Sequence, residues 1–149
     1  MIKIGKHNIG LDYPPFVIAE MSGNHNQSLE RALKIVDAVA KTGAHALKLQ
    51  TYTPDTMTID ISHGEFIVEQ ELWKGRSLYN LYEEAHTPWE WHDAIFSHAR
   101  KLGLIPFSTP FDNSAIDFLE SLDVDCYKIA SFENNHFPLL KRVAQTRNL

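Results

Sequence analysis

The amino-acid sequence predicts an α/β protein in which parallel strands alternate with helices. Two observations lead to this fold class: four short apolar segments are each followed by a helix-like segment, and each apolar segment ends in polar residues that a packed strand does not need. In a parallel sheet such strand ends face one common rim, where α/β barrels build their active sites. The pattern therefore indicates an enzyme. The four segments are FVIAE, HALKLQ, LIPFSTPF and CYKIASFE.

The start of the chain predicts a hairpin followed by the first strand. Residues 2–10 alternate weakly in hydropathy around a glycine and an asparagine, which is typical of a small hairpin outside the main sheet. We therefore divide the chain into a hairpin segment, residues 1–13, and an α/β unit, residues 14–149. Residues 16–20 form the first predicted buried strand.

A helix, a strand and a long connection are predicted next. Residues 28–42 carry apolar side chains at intervals of three and four, and Gly43 is expected to end this helix. Strand two follows at residues 45–50. Residues 51–77 lack clear periodicity, and a connection of that length inside a compact domain is usually a functional loop or a lid. The aromatic residues that are candidates to close over a ligand are Trp73, Tyr79 and Tyr82.

The remaining residues repeat the order of strand and helix. Helix propensity resumes at Ser77, and a second helix start is predicted where Thr87 caps, Pro88 takes the first helical position and Glu90 completes a capping box. The elements predicted after it are strand three (104–108), a helix (113–122), strand four (126–129) and a last helix opened by Pro138.

Four consecutive βα units are half of an eight-fold barrel. The predicted fold class is therefore α/β of the (β/α)8 TIM-barrel type, with only about the first four βα units present. A half barrel leaves two strand edges exposed. We expect either a fragment of a longer protein, which we favour, or a second copy that supplies the missing half.

Composition excludes several classes of function. The chain has 149 residues, which suits one domain, and its net charge of −5 indicates neither a nucleic-acid binder nor a polybasic membrane anchor. Its single cysteine, Cys126, rules out an internal disulfide and is interpreted as a small buried hydrophobe. No segment is apolar enough to span a membrane, and the N-terminus lacks the apolar core of a signal peptide. We expect a cytoplasmic protein.

Two lysines within apolar segments indicate an anionic substrate. Lys48 and Gln50 are two residues apart on one strand, so they share a face, and a buried lysine is costly without an anionic partner. Lys128 repeats this setting on the last strand. Ammonium groups, hydroxyls and backbone N–H groups can together surround a phosphate. The hydroxyl candidates are Ser108, Thr109 and Ser131.

Structural interpretations of the same residues stay open beside this one. Lys48 could lie at an exposed strand tip and extend its ammonium into water. Lys128 could form a structural ion pair with Glu133 or Glu20. The two glutamates are candidate acid–base groups or hydroxyl acceptors at the rim, and they serve equally well as counter-ions to the lysines.

Two further motifs are weaker. Residues 22–26, SGNHN, allow the backbone to approach a ligand closely, but they also suit an ordinary turn with a helix cap. His86, His92 and His98 recur at a spacing that does not return to one helix face. Because the sequence has neither an HExxH motif nor a compact group of metal ligands, solvent-facing histidines are preferred to a metal site here.

At these residues the chain resembles the sialic acid synthase family, which includes N-acetylneuraminate and pseudaminic acid synthases and spore coat polysaccharide synthases. Four motifs occur in the family's order and at its separations, and together they are specific. The segment WKGRSLYNLYEEAHTPWEW is most similar to the pseudaminic acid synthase branch. The resemblance runs from about residue 14 onward. The four motifs are FVIAEMSGNHNQS, GAHALKLQTY, FSTPFD and YKIASFE.

The resemblance implies a (β/α)8 barrel that condenses phosphoenolpyruvate with an N-acetylated amino sugar into a nine-carbon 2-keto acid for surface polysaccharides. Lys48 and Lys128 would then bind phosphoenolpyruvate, with Thr109 and Ser131 at its phosphate. The residues implied to contact the sugar are Glu20, Gln50 and Glu133, with Glu20 near the reacting aldehyde. The enol carbon attacks the aldehyde, water adds to the resulting cation, and phosphate leaves by C–O cleavage.

The resemblance also implies parts that this chain lacks. The family uses a divalent metal ion, manganese or magnesium, whose two histidine ligands belong to the second half of the barrel. A C-terminal antifreeze-like domain forms the family's homodimer. We therefore expect no metal site in this chain and no activity of the chain alone. The alternatives are a condensing synthase that acts on phosphorylated sugars, of the 3-deoxy-sugar phosphate type, and a non-catalytic module that binds an anion or a partner half.

Overall fold

A computed structural model describes residues 2–69 and 73–146 of the chain, and it contains two separate sheets. Strands β1 (Ile2–Ile4) and β2 (His7–Ile9) form an antiparallel hairpin. The second sheet is parallel and has the order β3-β4-β5. The predicted hairpin and the parallel direction of the sheet are confirmed, but the first strand, predicted as buried over residues 16–20, begins at Ile18 and is largely exposed. The strands of the second sheet are β3 (Ile18–Glu20), β4 (Ala46–Thr51) and β5 (Ile105–Pro110).

Helices connect the parallel strands, as the alternating pattern predicts. Helix α1 joins β3 to β4, three helices lie between β4 and β5, and two follow β5. None of the helices in the described ranges has the length and apolar character that a membrane crossing requires. The helices are α1 (Leu29–Ala40), α2 (Pro54–Met57), α3 (Leu78–Ala85), α4 (His92–Lys101), α5 (Asn113–Ser121) and α6 (Phe137–Ala144).

The register of the parallel sheet assigns each side chain to one of two faces. Leu47 pairs with Ala19 and with Pro106, and Lys48 pairs with Glu20 and with Phe107. Paired residues of parallel strands point to the same side, and successive residues alternate. We call the side of Leu47 the helix face and the side of Lys48 the open face.

The helix face carries the main core. Leu47 and Leu49 are fully buried there against side chains of α1 and α4, including Val36, Ile95 and Phe96. Full burial of one such side chain stabilises the fold by roughly 1.5–3 kcal/mol. This layer therefore packs the sheet against its helices. Because successive strand residues alternate, it also determines which residues lie on the open face.

The hairpin covers the amino-terminal end of the open face. Ile4 packs against a small cluster formed by Ala46, Phe107 and Cys126. Gly5 has a φ of +53°, a turn conformation that favours glycine, and a Cβ at this position would also displace the end of the Ile105 side chain, 2.7 Å away. Cys126 is buried as predicted, and burial raises the pKa of its thiol to about 11.

Serine hydroxyls cap two of the predicted helices at their starts, whereas the cap predicted at Thr87 is wrong. The Ser28 and Ser77 hydroxyls accept from the backbone N–H groups of Arg31 and Asn80. Thr87 does not cap its helix, because its buried hydroxyl bonds the His25 ring instead. A 3-10 turn, Trp89–Trp91, begins there, and α4 follows from His92.

The fourth predicted strand, residues 126–129, is correct in place and direction but wrong in extent. A single parallel bridge joins Tyr127 to Ser108, supported by a 3.2 Å hydrogen bond from the Lys128 N–H to the Ser108 carbonyl. The chain turns into a 3-10 helix at Ser131–Glu133 directly afterwards. Within the described ranges this segment pairs with β5 alone, and the pairing is limited to this one bridge.

The long connection predicted for residues 51–77 contains regular structure in the part that the structure describes. It contains α2 and an antiparallel bridge between Ile67 and Ser77. Tyr79 donates a hydrogen bond to Asp55, and the Tyr82 ring meets Tyr52 edge-on. Residues 70–72 lie outside the described residues, and the predicted closure over a ligand stays a prediction.

Candidate active site

A cavity of about 290 Å³ opens on the exposed side of the parallel sheet. Ile4 and Phe107 line it towards the hairpin, and Glu20, Lys48 and Lys128 line it towards the carboxyl ends of the strands. Glu20 and Lys48 come from the neighbouring strands β3 and β4, and Lys128 comes from the segment that bridges to the far side of β5. The structure therefore brings together three residues that the sequence singled out separately.

Lys48 and Glu20 form an ion pair at the centre of this cavity. The Lys48 Nζ atom lies 2.5 Å from a Glu20 carboxylate oxygen. The lysine side chain is 7% exposed and the glutamate side chain 60% exposed. Lys48 is thus buried within its strand, and the alternative of an exposed strand tip is wrong. Such a lysine depends on its anionic partner, because an unpaired buried ammonium is strongly destabilising.

The lysines determine the charge of the glutamate. The hydrogen bond from Lys48 is the main cause that lowers the pKa of Glu20; the charges of Lys48 and Lys128 lower it further, against a partial opposing effect of burial. Glu20 is therefore an ionised carboxylate at neutral pH. Such a group accepts hydrogen bonds and balances positive charge, and it is a poor general acid.

A second pair of candidates lies one step further along the open face. Gln50 pairs in register with Thr109, two residues after the Lys48–Phe107 pair. Thr109 is 1% exposed, and its hydroxyl has no hydrogen-bond partner within the described part of the chain. A buried polar atom without a partner costs free energy, so such atoms often indicate where a ligand or water binds. Thr109 thus presents an unused donor beside the lysine cavity.

Ser108 lies on the opposite side of the same strand. Its hydroxyl is fully buried on the helix face, 2.7 Å from the Thr51 hydroxyl, which lies 2.9 Å from His92 Nε2. Because His92 Nδ1 donates to the Pro88 carbonyl at 3.2 Å, Nε2 is the acceptor, so Thr51 donates to His92 and Ser108 donates to Thr51. Ser108 is therefore engaged behind the sheet and does not face the cavity.

His92 corrects the preference for solvent-facing histidines. It is fully buried, and burial lowers its pKa to about 4, so the ring is neutral and can hold the hydroxyl chain described above. Its position repeats with Ile95, Phe96 and Ala99, a spacing of three, four and seven residues that places all four on the buried side of α4. That spacing was the available signal in the sequence. His86 and His98 are only partly buried.

Ser131 and Glu133 follow the strand segment in a 3-10 turn and do not line the cavity. Ser131 is exposed. The Glu133 carboxylate lies 2.9 Å from His136 Nδ1, and no lysine partner is found for it among the described residues. The structure thus separates these two candidates from the Glu20, Lys48 and Lys128 group, although both stand at the carboxyl-end rim.

The metal expected for the sialic acid synthase family has no fitting site in the described ranges. No group of three histidine, cysteine, aspartate or glutamate side chains there is close enough to hold a metal ion. The carboxylate that lines the cavity, Glu20, is already paired with the ammonium group of Lys48. These residues therefore suit an anionic or hydroxylated ligand better than a metal ion.

Curated proteins are similar to this chain along most of its length. The chain is 46% identical over 140 residues to pseudaminic acid synthase of Campylobacter jejuni (strain 81-176), a match that covers 94% of this chain and 41% of that protein. It is 34% identical over 143 residues to the spore coat polysaccharide biosynthesis protein SpsE of Bacillus subtilis, covering 96% of this chain and 38% of that one. The chain thus spans about two fifths of the length of these relatives.

Solved structures and a family model extend this result. The structure of N-acetylneuraminic acid synthetase from Leptospira borgpetersenii superposes with a TM-score of 0.81 at 27% identity, covering 96% of this chain and 45% of that chain. The model of the NeuB family matches residues 35–149. Since that match includes β4, β5 and the lysines of the cavity, the chain belongs to the NeuB family.

Proposed function

We propose that this chain forms part of an enzyme that condenses phosphoenolpyruvate with an N-acetylated amino sugar, giving a nine-carbon 2-keto acid of the sialic or pseudaminic acid type. The observation that supports this most directly is the grouping of Lys48, Lys128 and Glu20 in one cavity beside the unpartnered Thr109 hydroxyl. The 46% identity to pseudaminic acid synthase favours that acceptor class. Surface polysaccharide synthesis is the proposed setting.

The charges of the cavity suit phosphoenolpyruvate. Its carboxylate and phosphate need cationic partners, which Lys48 and Lys128 supply, and charge-assisted hydrogen bonds of this kind are about twice as strong as neutral ones. Thr109 would donate its free hydroxyl to the phosphate, and Ser131 would join it from the rim. In this arrangement the buried Thr109 oxygen gains the partner that it lacks in the described chain.

The sugar would bind on the side of Glu20. An ionised carboxylate accepts hydrogen bonds from the hydroxyl groups of the sugar, and Gln50 adds an amide on the same face. Glu133 would contribute from the rim. The proposed reaction forms one C–C bond between the enol carbon and the aldehyde carbon. One water adds at the phosphate-bearing carbon, and the C–O bond between that carbon and the phosphate breaks, which releases inorganic phosphate.

The rest of the protein belongs to the proposal as well. We propose an eight-fold barrel in which residues 14–149 supply about the first four units and residues 1–13 the hairpin. The remaining half barrel and an antifreeze-like domain would lie outside this chain, together with the ligands of a manganese or magnesium ion. A homodimer and a cytoplasmic location complete the proposal. None of the roles assigned above to this chain's residues depends on the metal.

The test uses the longest reading frame that encodes this chain. The purified protein should release phosphate only when phosphoenolpyruvate and an N-acetylated amino sugar are both present. The mass of the reaction product should equal the masses of the two substrates plus water minus phosphoric acid. Phosphate release with phosphorylated sugars alone would instead indicate a 3-deoxy-sugar phosphate synthase. Binding of phosphoenolpyruvate with no turnover of any acceptor would indicate a non-catalytic module.

A further inference from the structure

The segment that follows β3 has a strained backbone. Ser22, Asn26 and Gln27 have φ values of +49°, +50° and +52°, the left-handed region that residues with a Cβ seldom adopt. Asparagine tolerates this conformation better than serine or glutamine does. Three such residues within six persist only where surrounding contacts fix them, and strained segments of this kind concentrate at functional sites. We call residues 22–27 the rim segment.

A buried histidine holds the rim segment from within. His25 is fully buried, and its Nδ1 atom accepts a 3.2 Å hydrogen bond from the Gln27 backbone N–H. The other ring nitrogen, Nε2, therefore carries the proton and donates to the Thr87 hydroxyl at 3.1 Å. The edge-on Trp91 ring closes the remaining side. Both ring nitrogens are thus used, and one bond reaches across 62 positions of sequence.

Two further contacts attach the rim segment to the end of α3. The Gln27 side-chain amide donates to the carbonyl oxygens of Glu84 and His86, each at 2.8 Å. These carbonyls belong to the end of a helix, where backbone acceptors lack partners inside the helix. Gly23 lies so close that an added Cβ would be 3.1 Å from the Ala85 carbonyl oxygen. Residues 84–87 therefore hold the segment at three points.

The rim segment is joined directly to the cavity. Met21 separates it from Glu20, and the Met21 N–H donates to the Lys48 carbonyl at 3.0 Å, which continues the pairing of β3 with β4. On the other side, α3 belongs to the connection that leaves β4 after Gln50 and Thr51 and leads to α4. The contacts between residues 22–27 and 84–87 thus connect the two rim elements that follow Glu20 and Gln50.

We propose that Thr87 and Gln27 are positioning residues for the acceptor sugar: they hold the rim segment, Thr87 through His25, in the strained conformation that fixes Glu20 and the adjoining rim against the substrate. This inference rests on the proposed function. Phosphoenolpyruvate is assigned to Lys48, Lys128 and Thr109, and the contact reaches this group only through the Glu20–Lys48 pair. Loss of the contact should therefore affect the acceptor sugar more strongly than phosphoenolpyruvate.

Steady-state kinetics on the longest reading frame would test it. Thr87→Val removes the hydroxyl at nearly constant volume, Thr87→Ser restores it, and Gln27→Ala removes two bonds made by an exposed side chain. A small misplacement of a substrate costs about 10- to 100-fold, so we expect kcat/KM for the sugar to fall at least about tenfold in Thr87→Val and about threefold in Gln27→Ala. KM for phosphoenolpyruvate should stay within about twofold, and Thr87→Ser should resemble the wild type.

The exposed Gln145 at the end of α6 provides a matched control, since Gln145→Ala removes the same side chain far from the rim segment. Amide hydrogen exchange supplies a second readout: exchange over residues 22–27 should accelerate in Thr87→Val and Gln27→Ala, but not in the control. If Thr87→Val does not fold, the kinetics and hydrogen exchange of Gln27→Ala test the proposal without it.

Two results would overturn the inference. The first is an unchanged rate of exchange over residues 22–27 in the variants. The second is an equal loss for both substrates, or no loss, in an active wild-type background. A wild-type protein with no turnover would refute the proposed function instead, and the exchange experiment would still report on the contact itself.

Discussion

The two faces of the β4–β5 pair use similar residues in opposite ways. On the helix face, Thr51 and Ser108 are fully buried, and their hydroxyls form a chain that ends on His92. On the open face, Thr109 is equally buried, but its hydroxyl has no partner among the described residues. The difference teaches that burial of a polar group does not by itself indicate a functional site. What separates the two faces is whether the hydrogen bonds are completed within the fold.

The charged groups follow the same division. Lys48 is buried on the open face and is paired with a glutamate that remains 60% exposed, so the pair is accessible from the cavity. A pair kept only for stability gains nothing from this exposure, because solvent weakens the attraction. The open face therefore leaves its charged pair accessible to a ligand, whereas the helix face completes its hydrogen bonds within the fold. Four changes test this comparison.

The largest effect is expected for Lys48→Ala. The substitution removes one of the two cations that we propose bind phosphoenolpyruvate and leaves Glu20 without its partner, so kcat/KM should fall about 1,000-fold or more, equivalent to about 4 kcal/mol. Phosphate release by the longest reading frame is the measurement. Lys34→Ala is the matched control, because Lys34 forms an exposed ion pair on α1. Loss of activity below about tenfold in Lys48→Ala would remove this lysine from the site.

The helix face should make stability dependent on pH. His92 has a folded pKa of about 4 against an ordinary value of 6.5, so below pH 6.5 the unfolded chain binds a proton that the folded chain does not. Stability is then complete above pH 6.5, falls as the pH drops towards 4, and changes by up to about 3 kcal/mol from this group.

Urea unfolding at several pH values measures this dependence, and His92→Gln should flatten the slope. His25, whose pKa burial also lowers, contributes in the same direction and is unchanged in that variant. An identical slope in His92→Gln and the wild type would show that His92 is not held neutral.

The sequence predicted the elements well because hydrophobic periodicity is local information. The hairpin, the parallel strands and the starts of α1 and α3 follow from spacing and helix propensity within a few positions. It failed where a partner is distant. Thr87 has a typical capping sequence, yet its hydroxyl bonds a histidine 62 positions away. Ser108 and Thr109 are neighbours that entered one predicted site, although adjacent residues of a strand must face opposite sides.

The site shows the same limit. The sequence indicated Lys48, Lys128 and Glu20 as candidates, because a charged group within an apolar segment is costly to bury without a partner. Their meeting in one cavity depends on the register of three strand segments, which no single segment encodes. The spacing of His92 relative to Ile95 and Ala99 indicated a buried position, but histidine is polar and was therefore expected to face solvent.

Thr51→Val should give the next largest effect, and on stability alone. The change removes the donor to His92 and the acceptor of Ser108, and buried polar groups without partners cost about 1–3 kcal/mol each, so we expect about 2 kcal/mol of destabilisation. The free energy of unfolding in urea measures it, and Thr51→Ser should retain most of the stability. Activity at a temperature well below unfolding should stay within about twofold. A loss of kcat with unchanged stability would place the helix-face chain in the chemistry.

Thr109→Val should show the opposite combination on the neighbouring residue. Its hydroxyl bonds nothing in the described fold, so its removal relieves a buried unsatisfied group and should leave the free energy of unfolding unchanged or raise it by up to about 1 kcal/mol. The same hydroxyl is assigned to the phosphate, so KM for phosphoenolpyruvate should rise about tenfold, the equivalent of about 1.4 kcal/mol. Urea unfolding and initial rates on one protein preparation measure both quantities. Destabilisation like that of Thr51→Val, with phosphoenolpyruvate binding intact, would mean that Thr109 serves the fold as its helix-face neighbours do, and the contrast between the two faces would fail at this residue.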